Sequence, residues 1–200
     1  SDPGHRLWLN TRLGEVAAWQ GHADVAQRHY RQALALGIDD GYLLAAWCDF
    51  LLDQGRAAEV VQQLQNWESS DGLLLRLAEA ETLLKLPAAG AHVQALDDRF
   101  AAARLRGDTT HQAEEARYQL RLRQNASQAV TLAADNYRVQ KEPRDARILL
   151  EATWAAQDRS AARAALDWLQ SSGFEGTQWR RLARLFEAPV SAAPSQGAAK

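Results

Sequence analysis

Apolar residues recur every three or four positions along the chain, as at Leu7, Leu13, Val16 and Ala17. No segment alternates apolar and polar residues in the way that a half-buried strand does. Glycine and proline recur at short intervals, where each can end one helix and begin the next. The pattern therefore predicts an all-α chain of about eleven helices, over 6–20, 22–37, 42–54, 56–67, 73–86, 88–106, 109–123, 127–140, 144–156, 160–171 and 177–187.

The predicted helices form a repeating pair. In 7–40, Leu13-Gly14 precedes a small–aromatic–small pattern at Ala26, Tyr30 and Ala33. The segment resembles a tetratricopeptide repeat (TPR), a helix–turn–helix unit of about 34 residues. Looser forms of the pattern occur in 41–71 and 145–173, whereas 73–106 and 109–140 keep only the pair periodicity. The resemblance implies a right-handed TPR-like α-solenoid of about five antiparallel helix pairs.

The last predicted helix, 177–187, carries charged residues on one side and Trp179, Leu182 and Phe186 on the other. One apolar and one polar face suit a C-terminal capping helix, which covers the last repeat and faces water. The helical repeat domain is therefore predicted over 6–187. The remaining 188–200, rich in Ala, Pro and Ser, is predicted to be a disordered tail.

The composition argues against several classes of function. The 200 residues are 24% charged with a formal net charge of −2, which gives no electrostatic reason to expect nucleic acid or an anionic membrane as a partner. The single cysteine, Cys48, excludes an intrachain disulfide and a cysteine zinc cluster. The sequence contains no methionine, so we expect a piece of a longer polypeptide with further repeats before Ser1.

Two stretches, 42–56 and 136–152, are similar to the C-terminal half of uncharacterised proteobacterial TPR proteins that carry a signal peptide. This resemblance covers about residues 8–185. It implies an exported, periplasmic protein, with a cytoplasmic location as the alternative, and it brings no reaction or catalytic residues with it.

Catalytic signatures are absent from the sequence: it has no Gly-x-Ser-x-Gly elbow, no phosphate-binding glycine loop and no His-Glu-x-x-His pair. The one local group of metal-capable residues is His111, Glu114 and Glu115, which fits a solvated first helical turn better than a metal site. We therefore expect no catalytic residues, no metal and no cofactor, and keep an enzyme acting through these three residues only as a remote alternative.

Basic residues cluster mildly around 99–106 and 117–123. Acidic residues interrupt both stretches, so a solvated helix face is favoured over a nucleic-acid surface.

In the repeat frame, the first helix of each pair lines the concave surface. That frame predicts a partner-binding groove lined by aromatic and charged residues: Trp8, Arg12, Glu15, Trp19, Tyr42, Asp49, Asp53, Arg76, Glu79, Tyr118, Arg121, Arg147, Glu151 and Trp154. Trp, Tyr and Arg are the residue types enriched at interface hot spots. For Trp8 and Trp19, packing against missing upstream repeats remains an alternative.

The sequence thus favours a non-catalytic scaffold that binds a protein or peptide in the concave groove. The alternative is a docking or regulatory segment of a larger cell-envelope assembly or enzyme.

Overall fold

The computed structural model describes residues 2–187, and helix is the only regular secondary structure in this part of the chain, with no strand. The eleven helices are α1 (Pro3–Trp19), α2 (Ala23–Leu34), α3 (Gly41–Asp53), α4 (Ala57–Leu64), α5 (Asp71–Leu83), α6 (Ala89–Leu105), α7 (Gln112–Arg121), α8 (Ala126–Val139), α9 (Pro143–Ala155), α10 (Arg163–Ser172) and α11 (Thr177–Glu187). The predicted all-α class is confirmed, while the predicted tail, 188–200, lies outside the described residues.

Local hydrogen bonding explains where the helix ends depart from the predicted bounds. Helix α1 begins at Pro3, earlier than predicted, because the Asp2 carboxylate accepts a hydrogen bond from the His5 amide and Pro3 supplies a helix-compatible φ. Helix α10 begins later than predicted. There, Asp158 accepts hydrogen bonds from Ser160 Oγ and the Ala161 amide and so holds a turn before the helix.

Consecutive helices pack as pairs, and the first members of the pairs form a row. Helix α1 contacts α3, α3 contacts α5, α5 contacts α7, and α7 contacts α9. Short turns connect the two helices of each pair, so the chain reverses direction at every step. The odd-numbered helices therefore begin at one common edge of the row and end at the opposite edge.

Close packing of α1 on α2 depends on a glycine. A Cβ atom at Gly14 would lie 2.9 Å from the ring of Tyr30, which is 1% exposed. Tyr30 in turn contacts Trp47 and Phe50 at ring-centroid distances of 5.7 Å. These rings belong to the first of two hydrophobic clusters, which spans α1 to α7. Trp47 is 5% exposed.

Trp179 of α11 is the centre of the second cluster. It is 2% exposed, and its indole Nε1 donates a hydrogen bond to the Pro143 carbonyl at 2.6 Å. Phe174 contacts Trp179 from one side and Trp168 from the other, at 5.0 and 5.3 Å. Helix α11 therefore packs against α9 through its apolar side, as its sequence pattern predicts.

The same residues bring the two ends of the row into contact. The ring of Trp19, at the end of α1, lies 6.0 Å from Trp179 and 5.6 Å from Phe174. Thr177 Oγ1 donates to the Trp19 carbonyl, and the turn at Gly21, with φ of +80°, fits directly against Thr177. The row of helices consequently curves until its first and last members touch.

We expect Gly14→Ala to destabilise the protein by about 1–3 kcal/mol, because the buried Tyr30 ring cannot move away from the new methyl group. The matched control is Gly90→Ala in α6, where no atom lies within 4 Å of the added Cβ; there the better helix propensity of alanine stabilises by up to about 1 kcal/mol. Urea denaturation measures both changes. A Gly14→Ala protein at least as stable as the parent would show that the helices do not require this close approach.

Candidate functional site

Charged side chains from α3, α5, α7 and α9 meet on the inner side of the row. Asp49 accepts hydrogen bonds from Arg76 Nε and Nη2 at 2.8 and 3.0 Å, and it pairs with Arg117 Nη1 at 2.8 Å. Arg117 also donates to both carboxylate oxygens of Glu79 at 2.5–3.1 Å. Arg117 thus joins an acid of α3 to an acid of α5.

The chain of ion pairs continues to α9 and returns to α3. Arg121 lies 3.5 Å from Glu79 and 2.7 Å from Glu151. Arg147 donates to Glu151 at 2.9 Å and, with two nitrogens, to Asp53 at 2.7 and 2.8 Å. Asp53 and Arg147 are 94 positions apart in sequence, so this pair directly connects early and late helices.

We call this group the inner charge cluster. Its four arginines and four acids are Arg76, Arg117, Arg121, Arg147, Asp49, Asp53, Glu79 and Glu151, so its formal charges cancel. Arg76 and Glu79 are each only 5% exposed. A buried charge is tolerated when it has several partners of opposite charge. Removing one partner is destabilising, because it leaves an uncompensated charge in the protein interior.

The arginines keep the acids ionised. Burial alone would raise the pKa of Asp49, but Arg117 and Arg76 outweigh it and hold that pKa well below its ordinary range. Burial likewise opposes ionisation of Glu151, yet Arg121 and Arg147 lower its pKa to about 2. Asp49 and Glu151 therefore stay ionised at neutral pH.

A second polar group lies beside the cluster, where α3 and α9 begin. Tyr42 Oη donates to the Glu15 carboxylate at 2.8 Å, and Arg12 Nη1 donates to both Tyr42 Oη and Glu15, at 2.6 and 2.7 Å. The Arg144 guanidinium lies over the Tyr42 ring, 5.6 Å from its centroid. Burial raises the pKa of the Glu15 carboxyl, against the opposing effects of Tyr42 and Arg12. We refer to Arg12, Glu15, Tyr42 and Arg144 as the rim.

An open cleft of about 500 Å³ adjoins the rim at the edge where α3, α5 and α7 begin. Tyr42 and Arg144 line it on one side, His111 and Glu114 on another, and Arg76 of the inner charge cluster also borders it. Tyr42 is 39% exposed, and the Arg144 side chain is 61% exposed. An aromatic ring and a guanidinium are therefore accessible at a preformed concave surface.

The structure brings most of the predicted groove residues together. Arg12, Glu15 and Tyr42 form the rim, and the predicted charged residues of α3, α5, α7 and α9 all belong to the inner charge cluster. Their side chains bind one another across the inner face.

Tyr118 lies elsewhere, which corrects its predicted place on the inner face. It is 0% exposed, its ring contacts Phe100 at 5.2 Å, and its hydroxyl donates to Asp97 at 3.0 Å. A large aromatic side chain gains more from burial between α6 and α7 than from a polar surface. The inward position on this turn of α7 belongs to Arg117.

The three tryptophans that were predicted to line the groove lie in different environments. Trp19 packs on the residues of the capping helix described above, and Trp154 contacts Phe186 of that helix at 5.5 Å. Trp8 stacks on His5 at 6.1 Å and is 58% exposed. Trp19 and Trp154 thus stabilise the fold, while Trp8 remains accessible.

Arg117 and Arg121 correct the interpretation of 117–123 as a solvated basic face, since their side chains are 13% and 29% exposed and both are paired. A pattern in the sequence indicates that these arginines belong to a shared inner surface. Charged residues spaced by four recur on the first helices, at 49 and 53, at 117 and 121, and at 147 and 151. Such spacing places two charges on one helix face, so the repetition marks a shared inner surface.

The three metal-capable residues of α7 do not converge. Glu115 is 5% exposed and pairs with Arg104, Glu114 lies 3.7 Å from Arg76, and His111 is exposed. Across residues 2–187, no group of three or more His, Cys, Asp or Glu side chains could hold a metal ion. Cys48 is fully buried, and burial raises the pKa of its thiol to about 12.

Comparison with known proteins gives no match: no family model, no curated protein and no solved structure is significantly similar to this chain. Of the helices described, none is long and apolar enough to cross a membrane.

We expect acid to destabilise the fold through the inner charge cluster. The pKa of Glu151 falls from an ordinary 4.5 to about 2, so its contribution is complete above about pH 4.5 and is lost as the pH falls toward 2. The shift corresponds to about 3 kcal/mol. Urea denaturation at a series of pH values should show a steeper acid loss for the parent than for Glu151→Gln, which has no titrating group there. Equal losses in the two proteins would contradict the pairing.

Proposed function

We propose that the chain is a non-catalytic protein-interaction module, built as a right-handed TPR-like solenoid, that binds a protein or peptide segment at the rim and its adjoining cleft. The observation that carries this proposal is the exposed Tyr42–Arg144 pair beside a preformed cleft of about 500 Å³. The contacts between successive odd-numbered helices support the solenoid arrangement.

The inner face is an unfavourable place for a peptide to bind. We therefore propose the rim, and not the whole predicted groove, as the docking site. A peptide that entered the inner face would have to separate ion pairs such as Arg117–Glu79, whose side chains are 13% and 5% exposed. Separating a buried pair is strongly destabilising, because it leaves uncompensated charges in a poorly hydrated site. The rim offers charged and aromatic groups without that cost.

The chemistry of the rim suits a polypeptide. Tyrosine and arginine are enriched at protein hot spots, because each combines a large contact area with hydrogen-bonding groups. The Tyr42 hydroxyl donates to Glu15 and accepts from Arg12, and Arg12 also donates to Glu15, so little side-chain freedom is left to lose on binding. The proposal involves no metal or cofactor, and the net charge of −2 gives no support for nucleic acid.

The proposal places the protein in the periplasm, as the resemblance of 42–56 and 136–152 implies. A single buried thiol, Cys48, is compatible with an oxidising compartment, because it has no exposed sulfur to form disulfides. Fractionation of cells that produce the protein from its own gene tests this part, and recovery from the cytoplasm alone would contradict it.

Site-specific photo-crosslinking tests the docking site in cells. We expect a photoreactive amino acid at position 144 to capture a specific protein, while the same probe at 163 does not. Arg163 is also an exposed arginine, but it begins α10, at the edge where the odd-numbered helices end.

Direct binding to the purified captured protein then decides the proposal. Tyr42→Ala and Arg144→Glu should each weaken binding about tenfold or more, whereas Arg163→Glu should leave it unchanged. Capture at both positions, or unchanged binding by the two rim variants, would contradict a docking site at the rim.

A further inference from the structure

The two most exposed large apolar side chains among residues 2–187 hold the same position in successive helix pairs. Leu105 is the last residue of α6 and is 90% exposed, and Val139 is the last residue of α8 and is 80% exposed. A single exposed aliphatic residue is ordinary, but these two occupy equivalent places. Because the helices alternate in direction, both lie at the edge where the odd-numbered helices begin. The repetition indicates a shared surface at this edge.

Basic residues flank both aliphatic side chains. Each has a basic residue directly before it and another one or two positions after it. These four exposed basic residues are Arg104, Arg106, Arg138 and Lys141. Arg104 and Arg138 belong to the last turns of their helices, where a positive charge complements the helix dipole. Arg106 and Lys141 form no ion pair within residues 2–187, so their charges are available to a ligand.

The edge carries opposite charges in its two halves. The turns before α3 and α5, over 35–40 and 65–70, contain three acids and no arginine or lysine. The stretches 104–111 and 138–144 contain five arginines and lysines against two acids. We call these last two stretches the basic edge. The whole chain has a net charge of −2, so the basic edge is a local concentration of positive charge, which attracts a negatively charged partner.

The basic edge continues into the cleft beside the rim. His111 ends its first stretch, Arg144 ends its second, and both line the cleft. Two acids also line the cleft, but Asp71 pairs with an arginine of α6 at 2.7 Å, and Glu114 lies 3.7 Å from an arginine of α5. The Arg144 side chain is 61% exposed and is paired only with Glu142, which is itself 63% exposed. A carboxylate that enters from outside can therefore reach Arg144 without breaking a buried pair.

We propose that the polypeptide bound at the rim and cleft presents an acidic segment with aliphatic side chains, and that this segment leaves the cleft over the basic edge. The inference rests on the proposed function and adds the chemistry of the partner. Carboxylates of the segment pair with Arg106, Lys141 and Arg144. Its aliphatic side chains cover Leu105 and Val139. The acids on the other half of the edge repel such a segment, and so direct it toward α7 and α9.

The same charge division disfavours an anionic membrane as the occupant. A broad, flat lipid surface would contact both halves of the edge at once, and Asp39, Asp40 and Glu68 on the acidic half would then face its headgroups. A narrow polypeptide can follow the basic half alone, where charge and apolar surface occur together.

Selection from a phage-displayed library of short random peptides reveals the preferred chemistry. We expect peptides selected on the parent chain to be rich in Asp and Glu together with Leu, Ile or Val, and we expect Tyr42→Ala to lose them. Neutral or basic peptides that depend on Tyr42 would overturn the acidic partner and leave the docking site at the rim standing. If no peptide is selected, or if Tyr42→Ala selects the same peptides, the proposed function fails and this inference fails with it.

Charge reversal then measures the contribution of the basic edge, with a fluorescent synthetic copy of a selected peptide as the probe. Arg106→Glu combined with Lys141→Glu should weaken binding about tenfold or more, and added salt should weaken binding by the parent chain. The matched control is Arg28→Glu combined with Arg163→Glu, which changes the net charge equally at two exposed arginines that do not line the cleft. Equal weakening by the two double variants would show an effect of net charge alone and overturn the basic edge.

Substitution of the exposed aliphatic residues tests the apolar part of the contact with the same peptide. We expect Leu105→Ser and Val139→Ser each to weaken binding about threefold or more, because each removes apolar surface that the peptide covers. Leu83→Ser is the matched control, since Leu83 is 68% exposed at the end of α5, at the opposite edge. Circular dichroism and urea denaturation confirm that the variants remain folded. Unchanged binding by the first two variants would overturn the apolar contact.

Co-sedimentation with phosphatidylglycerol vesicles tests the membrane alternative. We expect the parent chain to stay in the supernatant at physiological salt. Sedimentation that Arg106→Glu combined with Lys141→Glu abolishes would assign the basic edge to lipid headgroups, and would overturn the proposal.

Discussion

The ion pairs between helices that are distant in sequence govern the shape of this protein. Asp53 and Arg147 bring α3 to α9, and Arg117 holds acids of α3 and α5 from its place on α7. Each arginine of the cluster forms an ion pair with at least one acid on another helix. The helices therefore cannot separate at their inner faces without breaking ion pairs and leaving charges unpaired. The apolar contact of Trp19 with Trp179 completes the curvature at the ends of the row. The curvature of the row follows from these contacts, and the proposed docking site at the rim lies beside them.

The closed inner face changes what the protein offers to a partner. A solenoid with an open groove presents its inner residues to a ligand, whereas here those residues satisfy one another. Among the described residues, the groups that remain accessible include the Tyr42–Arg144 pair at the rim and Trp8 of α1, which is 58% exposed. The proposed docking site uses the first of these.

Local patterns made much of the fold predictable. The apolar periodicity and the glycine positions predicted all eleven helices, and Leu13-Gly14 with Tyr30 predicted the close contact of α1 with α2, because these features act between near neighbours. Pairing between distant residues was harder to predict. Which arginine meets which acid depends on the curvature of the whole row, so Arg117 was assigned to a solvated face and Tyr118, its neighbour, to the inner one. Periodicity alone could not separate adjacent positions on α7, where the apolar pattern is weak.

The most direct test of this account is a double-mutant cycle on Asp53 and Arg147, measured by urea denaturation of Asp53→Ala, Arg147→Met and the double variant. The exposed Asp135–Arg138 pair, 3.1 Å apart within α8, provides the reference cycle. We expect a coupling energy of about 1–3 kcal/mol for Asp53–Arg147, because the pair is bidentate and its side chains are 27% and 19% exposed, and of less than about 0.5 kcal/mol for the more exposed surface pair. A coupling energy near zero for Asp53–Arg147 would show that the inner charge cluster does not hold the row of helices closed.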